Sequence, residues 1–161
     1  MTYQGELKVT TPTDREIVMT REFNAPRRLV FDAFTKPALV RRWMFGWDGW
    51  TLDVCDIDLR VGGRFRFVWR GPDGTVMGMG GVYREVAPPE RLSSNELFDE
   101  DLTGGETLVT LDLTEHGSTT LMTQTVLYSS RDARDGALET GAAEGLSMSL
   151  DRLDTILAEM S

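Results

Sequence analysis

Apolar and polar residues alternate along most of this chain, and a helical period replaces the alternation at its C-terminal end. From residue 16 to 23, Ile17, Met19, Arg21 and Phe23 fall on one face, and Val18, Thr20 and Glu22 on the other. A period of two marks a strand with one buried side. Arg21 is the awkward member of the apolar face, and burying it predicts an ion pair with a carboxylate such as Glu85 or Asp58. Asn24-Ala25-Pro26 then opens a helix, since proline suits the first helical position, and Leu29, Val30, Ala33 and Phe34 form its apolar stripe. Pro37 breaks it, and a second short helix carries Leu39, Val40, Trp43 and Met44.

Further strands are expected at 50–59, 63–70, 75–86 and 91–98, and a last hairpin at 106–128 turns about His116-Gly117. The clearest alternation sets Phe65, Phe67 and Trp69 inward with arginines between them. Gly71-Pro72-Asp73-Gly74 reads as a tight hairpin turn, and Gly78, Gly80 and Gly81 inside the next strand suggest a bulge or bend. In the last hairpin Val109, Leu111, Leu113, Met122, Gln124 and Val126 share a face. The acidic stretch 99–105 reads as an exposed loop. Residues 1–15 are polar and aperiodic, a flexible lead-in to a single domain spanning 16–161.

From Ser129 to about Met160 the period becomes helical. At about 100° per residue, one arc gathers Leu138, Ala142, Gly145, Leu146, Ser149, Leu150, Leu153, Ile156 and Leu157, with Glu144, Asp151, Asp154 and Glu159 opposite. Ser129, with Asp132 three residues on, resembles a capping box. The order β-αα-β-rich-α, with hairpin-length connections, predicts an α+β fold. A curved antiparallel sheet of six to seven strands wraps around one long C-terminal helix, with two short helices between the first two strands. Small residues in the middle of that helix (Gly141, Ala142, Gly145, Ser149) leave either close helix–sheet packing or an empty volume.

The chain has 161 residues, enough for one domain with a sizeable core. Lys and Arg number 17 against 26 Asp and Glu, a net charge of −9 that argues against nucleic acid or an anionic membrane as partner. No apolar run approaches the ~20 residues of a membrane span, and the N-terminal residues lack the apolar core of a signal peptide. The single cysteine, Cys55, excludes an internal disulfide and a cysteine-rich metal site. A reduced, cytoplasmic protein is expected, and a homodimer is compatible with it.

No catalytic constellation emerges. His116, the only histidine, falls in a turn, which removes the central member of a Ser-His-Asp triad and of histidine metal ligation. No metal and no cofactor are expected. The candidate ligand cavity between sheet and helix comprises Trp43, Trp47, Phe65, Phe67, Trp69, Met79, Val109, Leu111, Met122, Gln124, Gly141, Gly145 and Ser149. Any one of the aromatic residues could equally be ordinary core. Trp47, in a Gly-flanked loop, is the entrance candidate, and Met44, Met77 and Met148 suit an irregular cavity wall. The expected function is binding of a small hydrophobic or aromatic molecule. The alternative is an enzyme using Asp53, Asp56, Asp58, Glu85 or Glu96 as a desolvated acid or base, and a protein-interaction role is the third reading.

Several motifs carry a family resemblance: Arg21-Glu22-Phe23-Asn24-Ala25-Pro26, Val30-Phe31-Asp32-Ala33-Phe34 and Arg42-Trp43, then Asp58-Leu59-Arg60-Val61-Gly62-Gly63-Arg64-Phe65, Gly81-Val82-Tyr83-Arg84-Glu85-Val86 and Pro88-Pro89-Glu90-Arg91-Leu92. In this order they resemble the activator-of-Hsp90-ATPase-homologue-like proteins of the START/Bet v 1-like superfamily, over about Glu16 to Leu157. The resemblance implies a helix-grip fold with a deep cavity, and a function among lipid or hormone binding, polyketide cyclisation and cochaperone activity. The family's eukaryotic Hsp90 activators carry a separate N-terminal domain where this chain has a short polar lead-in. An Hsp90-type chaperone is therefore not the expected partner.

Overall fold

Each alternating run becomes a strand in the computed structural model, which describes residues 5–100 and 104–160. The elements are β1 (Lys8–Thr10), β2 (Glu16–Phe23), α1 (Arg27–Thr35), α2 (Pro37–Val40), β3 (Thr51–Ile57), β4 (Arg64–Arg70), β5 (Val76–Ala87), β6 (Arg91–Phe98), β7 (Thr107–His116), β8 (Thr119–Leu127), α3 (Arg131–Glu139) and α4 (Ala142–Met160). All strands join one antiparallel sheet in the order β1-β2-β8-β7-β6-β5-β4-β3. Helices α1 and α2 carry the chain from one side of the sheet to the opposite edge, after which β3 to β8 meander back to meet β2.

The sheet has eight strands among the described residues, one or two more than expected, because Lys8, Val9 and Thr10 pair with Thr20, Met19 and Val18. Three residues are too few to display a period, so the lead-in hid an edge strand. Of the acidic loop, residues 101–103 lie outside the described residues, whereas Asp99 pairs with Arg66 at 2.5 Å.

The C-terminal helical stretch is two helices. Gly141, at φ 77°, separates α3 from α4. The Thr140 hydroxyl donates to the Ala137 carbonyl at 2.8 Å and accepts from the Ala142 amide at 3.3 Å, closing one helix and opening the next. Gly141 is thus a backbone requirement, since a left-handed residue ends a helix most readily when it has no Cβ. The cap at the start of α3 is Ser130, which accepts from the Ala133 amide, while the Ser129 hydroxyl donates instead to the Gly104 carbonyl. The 19 residues of α4 span about 28 Å.

Along α4 the two ends do different jobs. Leu150, Leu153, Ile156 and Leu157 are buried against Phe23, Val30, Phe31, Trp43, Leu111, Leu113 and Met122. Each contributes on the order of 2 kcal/mol by leaving water, and together they clamp the helix to the sheet and to α1. A second cluster joins Val40, Leu52, Cys55, Phe65, Phe67, Met79 and Tyr83 under β3–β5. A third holds Ile17, Met19, Val126, Tyr128 and Ala137. Burial pushes the Cys55 thiol up to about 11, so it stays protonated and inert.

Two expectations about polar packing are corrected. Arg21 is buried, but its partners are Asp151 and Asp154 of α4, at 2.7 and 2.5 Å. Glu85 pairs with Arg91 and Asp58 with Arg60 instead. The glycines of β5 mark no bulge: pairing with β4 is regular from Val76 to Val82, and the irregularity lies between Tyr83 and Glu85. They make room instead. A Cβ on Gly78 would lie 2.3 Å from the Asp99 carboxylate, and one on Gly81 would lie 2.4 Å from the Phe65 ring.

Candidate functional site: a cavity under the first turns of the last helix

Where the side chains of α4 become small, the sheet and helix part. A cavity of about 480 Å³ opens there, within the size range of small-molecule sites. Its sheet side is Ile17 and Met19 of β2, Trp69, Met77, Phe98, Gln124 and, just past β8, Tyr128. Its helix side is Ala137 and Leu138 of α3 with Ala142, Ala143, Gly145, Leu146 and Ser149 of α4. The loop after α2 closes it with Met44, Phe45, Gly46, Trp47 and Trp50. Val9 of the edge strand completes the wall. Among the described residues, none that lines it is charged.

The aromatic loop is held at several points. The Gly46 amide donates to the Ser149 hydroxyl at 2.9 Å, which occupies the polar group of the small-residue patch. The Trp69 indole donates to the Met44 carbonyl at 2.7 Å. Trp50 lies on Gly71, where a Cβ would come within 3.0 Å of its ring. Asp48 pairs with Arg152 of α4 at 2.9 Å, and that guanidinium also stacks on Phe45 at 3.9 Å. Trp47 remains 46% exposed, as do Val9 at 40% and Leu138 at 44%. Wall residues that still meet solvent define the mouth, so these three rim it.

Of the thirteen cavity residues expected from the sequence, Trp47, Trp69, Gln124, Gly145 and Ser149 are on the wall. The others are elsewhere. Trp43 is fully buried, with its indole donating to the Ala33 carbonyl and its ring edge-on to Phe34. Phe65, Phe67 and Met79 fill the second core cluster, where Phe65 packs on Phe67 and Tyr83 at 5.4 and 5.0 Å. Leu111 and Met122 meet the large end of α4, Val109 packs against the third cluster, and Gly141 serves the helix break. The face of each strand was right; the part of the face left uncovered depends on how large cross-strand neighbours fill one another's space. Phe98, Tyr128, Ile17 and Met19 were missed as wall residues. Ile17 and Met19 already stood on the apolar face of their strand, and Tyr128 continues the inward alternation of Gln124 and Val126, so only Phe98 lacked a usable signal.

Gly145 does not face the sheet. A Cβ there would meet the Trp47 indole nitrogen at 3.5 Å, an ordinary contact, so the residue faces the mouth loop and the cavity together.

Among the five carboxylates considered for acid–base chemistry, Asp53, Asp58 and Glu85 pair with Arg70, Arg60 and Arg91, and Asp56 is exposed. Glu96 differs. Leu92, Ser94, Glu96 and Phe98 take the concave face of β6, as the core packing of Leu92 and the position of Phe98 in the cavity wall require. Deep burial pushes the Glu96 carboxyl up to about 7, with a hydrogen bond from the Ser94 hydroxyl opposing.

Comparisons with known proteins now have a geometry to meet. The description "activator of Hsp90 ATPase homolog 1-like protein" matches residues 24–158. A solved protein of Rhodobacter sphaeroides is 34% identical, with a TM-score of 0.90, over 96% of this chain and 99% of that one. One of Mycobacterium smegmatis is 26% identical, with a TM-score of 0.83, over 94% and 97%. One of Nitrosomonas europaea shares the fold, with a TM-score of 0.81 at 23% identity over 93% and 98%. No curated protein matches. The sheet, the two short helices and α4 form a helix-grip fold, and the chain belongs to the activator of Hsp90 ATPase homolog 1-like family.

Proposed function

We propose that the chain binds one small apolar molecule, lipid-like or polyketide-like, in the cavity beneath the first turns of α4. The observation that carries this reading is the wall itself: Trp47, Trp50, Trp69, Phe45, Phe98, Met19, Met44 and Met77 with no charged side chain among them. Such a surface binds by removing apolar area from water, and the methionines let it adapt to an irregular shape. Gln124 is the polar wall group best placed to orient a carbonyl or hydroxyl. A bond-making role needs an acid or base at the cavity, and among the carboxylates described Glu96 is the candidate.

The test joins two measurements. Native mass spectrometry of protein purified from cells should reveal a bound small molecule, and a library of apolar compounds should contain some that raise the melting temperature by about 5 °C at saturating concentration. Gly145→Leu should abolish both effects while the circular dichroism spectrum is kept, because the added side chain must enter the cavity or displace Trp47. Protein that carries nothing, and that no apolar compound stabilises, would overturn the reading. Unfolding of the Gly145→Leu variant would instead show that Gly145 is needed for packing.

A further inference from the structure

The concave face carries one carboxylate that no cation answers among its described contacts. Glu96 pairs across the sheet with Gly81 on one side and Thr107 on the other. Tyr128, a wall residue, follows the end of β8, and the β7–β8 register brings it beside Thr107 in the same transverse row. Phe98, another wall residue, is two positions on along β6, on the same face. Gly81 has no side chain to cover the row, and the Phe65 ring occupies that space. Glu96 is not itself a wall residue; it stands on the concave face beside the wall residues Tyr128 and Phe98, partly accessible yet deep among protein atoms.

The groups facing it are Tyr83 of β5 and Tyr128, both held above the ordinary phenol range by burial and by Glu96, together with Ser94 of β6. Basic residues of the helices α3 and α4 have other partners. Arg131 and Arg134 of α3 pair with Asp135, and Arg134 also donates to the Thr13 carbonyl. Arg152 of α4 pairs with Asp48 while stacked on Phe45. A buried carboxylate without a counter-charge is costly, and a cation arriving with the ligand removes that cost.

Resting on the cavity reading above, we propose that Glu96 is the polar anchor of the site and that its ligand is an apolar molecule bearing a basic nitrogen. The nitrogen sits as an ammonium between the Glu96 carboxylate and the aromatic wall. Rings that line an apolar site attract a cation through their faces, and the protein's net charge of −9 draws cations toward it. A fatty acid fits poorly, because no wall residue among those described carries positive charge.

Three probes of one chain length test this: octylamine, octanol and octanoate, with binding measured by calorimetry at pH 6 and pH 8. Wild-type protein should bind octylamine at least tenfold more tightly than octanol at pH 8. That preference should fall about tenfold at pH 6, where the carboxyl is mostly protonated and only a minor fraction of sites is competent. Glu96→Gln should show no amine preference at either pH. The wild-type pH profile stands alone if the variant does not fold. Octanol binding without amine preference, or preferred binding of octanoate, overturns this inference and leaves the cavity reading intact. Failure to bind any of the three defeats both.

Discussion

Among the described residues, the charged side chains Arg21 and Glu96 sit on the concave face, and the protein treats them oppositely. Burial pulls Arg21 toward losing its charge, but the hydrogen bonds it donates to Asp151 and Asp154 outweigh that and hold the guanidinium firmly protonated. Its Nε still has no partner, so the pair fixes where α4 lies against β2 at some cost in desolvation. Glu96 has only the Ser94 hydroxyl, and its carboxyl rises from the ordinary 4.5 to about 7. The folded protein therefore holds a proton that the unfolded chain releases. This stabilisation is complete below about pH 4.5 and is lost as pH rises through 7, a change of about 3 kcal/mol. Urea denaturation of Glu96→Gln should lack this component, so its stability relative to wild type should improve by about that amount between pH 4.5 and pH 8. Parallel pH profiles for the two proteins would show that Glu96 titrates like a surface carboxylate.

At the level of elements, the C-terminal break matters most. The apolar arc runs through Thr140 and Gly141 without interruption in the sequence, so periodicity alone predicted one helix of roughly 30 residues. Threonine followed by glycine was the overlooked signal: a hydroxyl that can cap and a residue free to turn left-handed. The arc survives the break because both helices lie on the same sheet. Gly141→Ala should cost about 1 kcal/mol, since φ 77° penalises a Cβ although nothing lies within 4 Å of the place it would occupy. Thermal unfolding of that variant alongside Gly136→Ala separates the two effects. Gly136 lies inside α3 with equally open surroundings, and there alanine should stabilise by up to about 1 kcal/mol. Equal changes in both variants would mean that the backbone at Gly141 is not constrained.

For the whole molecule, alternation was enough to place seven of the eight strands and to give the correct inward face for Phe65, Phe67, Met79, Leu111 and Met122. It could not say which inward residues would be covered by other inward residues. Those five ended in the core: Phe65 fills the room left by Gly81 and packs on Phe67 and Tyr83, Met79 pairs with Phe67, and Leu111 and Met122 meet the large end of α4. Trp47 and Gly145 reached the wall because a loop and the small turn of a helix leave space that neither fills. The edge strand escaped notice by its brevity, and with it Val9. Of the motifs that suggested the family, those at 21–26, 58–65 and 88–92 span turns, where backbone geometry restricts residue choice, whereas those at 30–34 and 81–86 lie inside α1 and β5.

The rim of the cavity has a kinetic meaning. Val9, Trp47 and Leu138 come from an edge strand of three residues, a loop and a nine-residue helix, three separate stretches of chain away from the sheet centre. The wall decides how tightly a ligand is held, whereas passage depends on any one of these pieces moving aside. A change at Leu138 that leaves the deeper wall intact should alter arrival and departure rates together and leave their ratio nearly constant. Residence time can then be tuned by evolution without redesigning what the protein recognises.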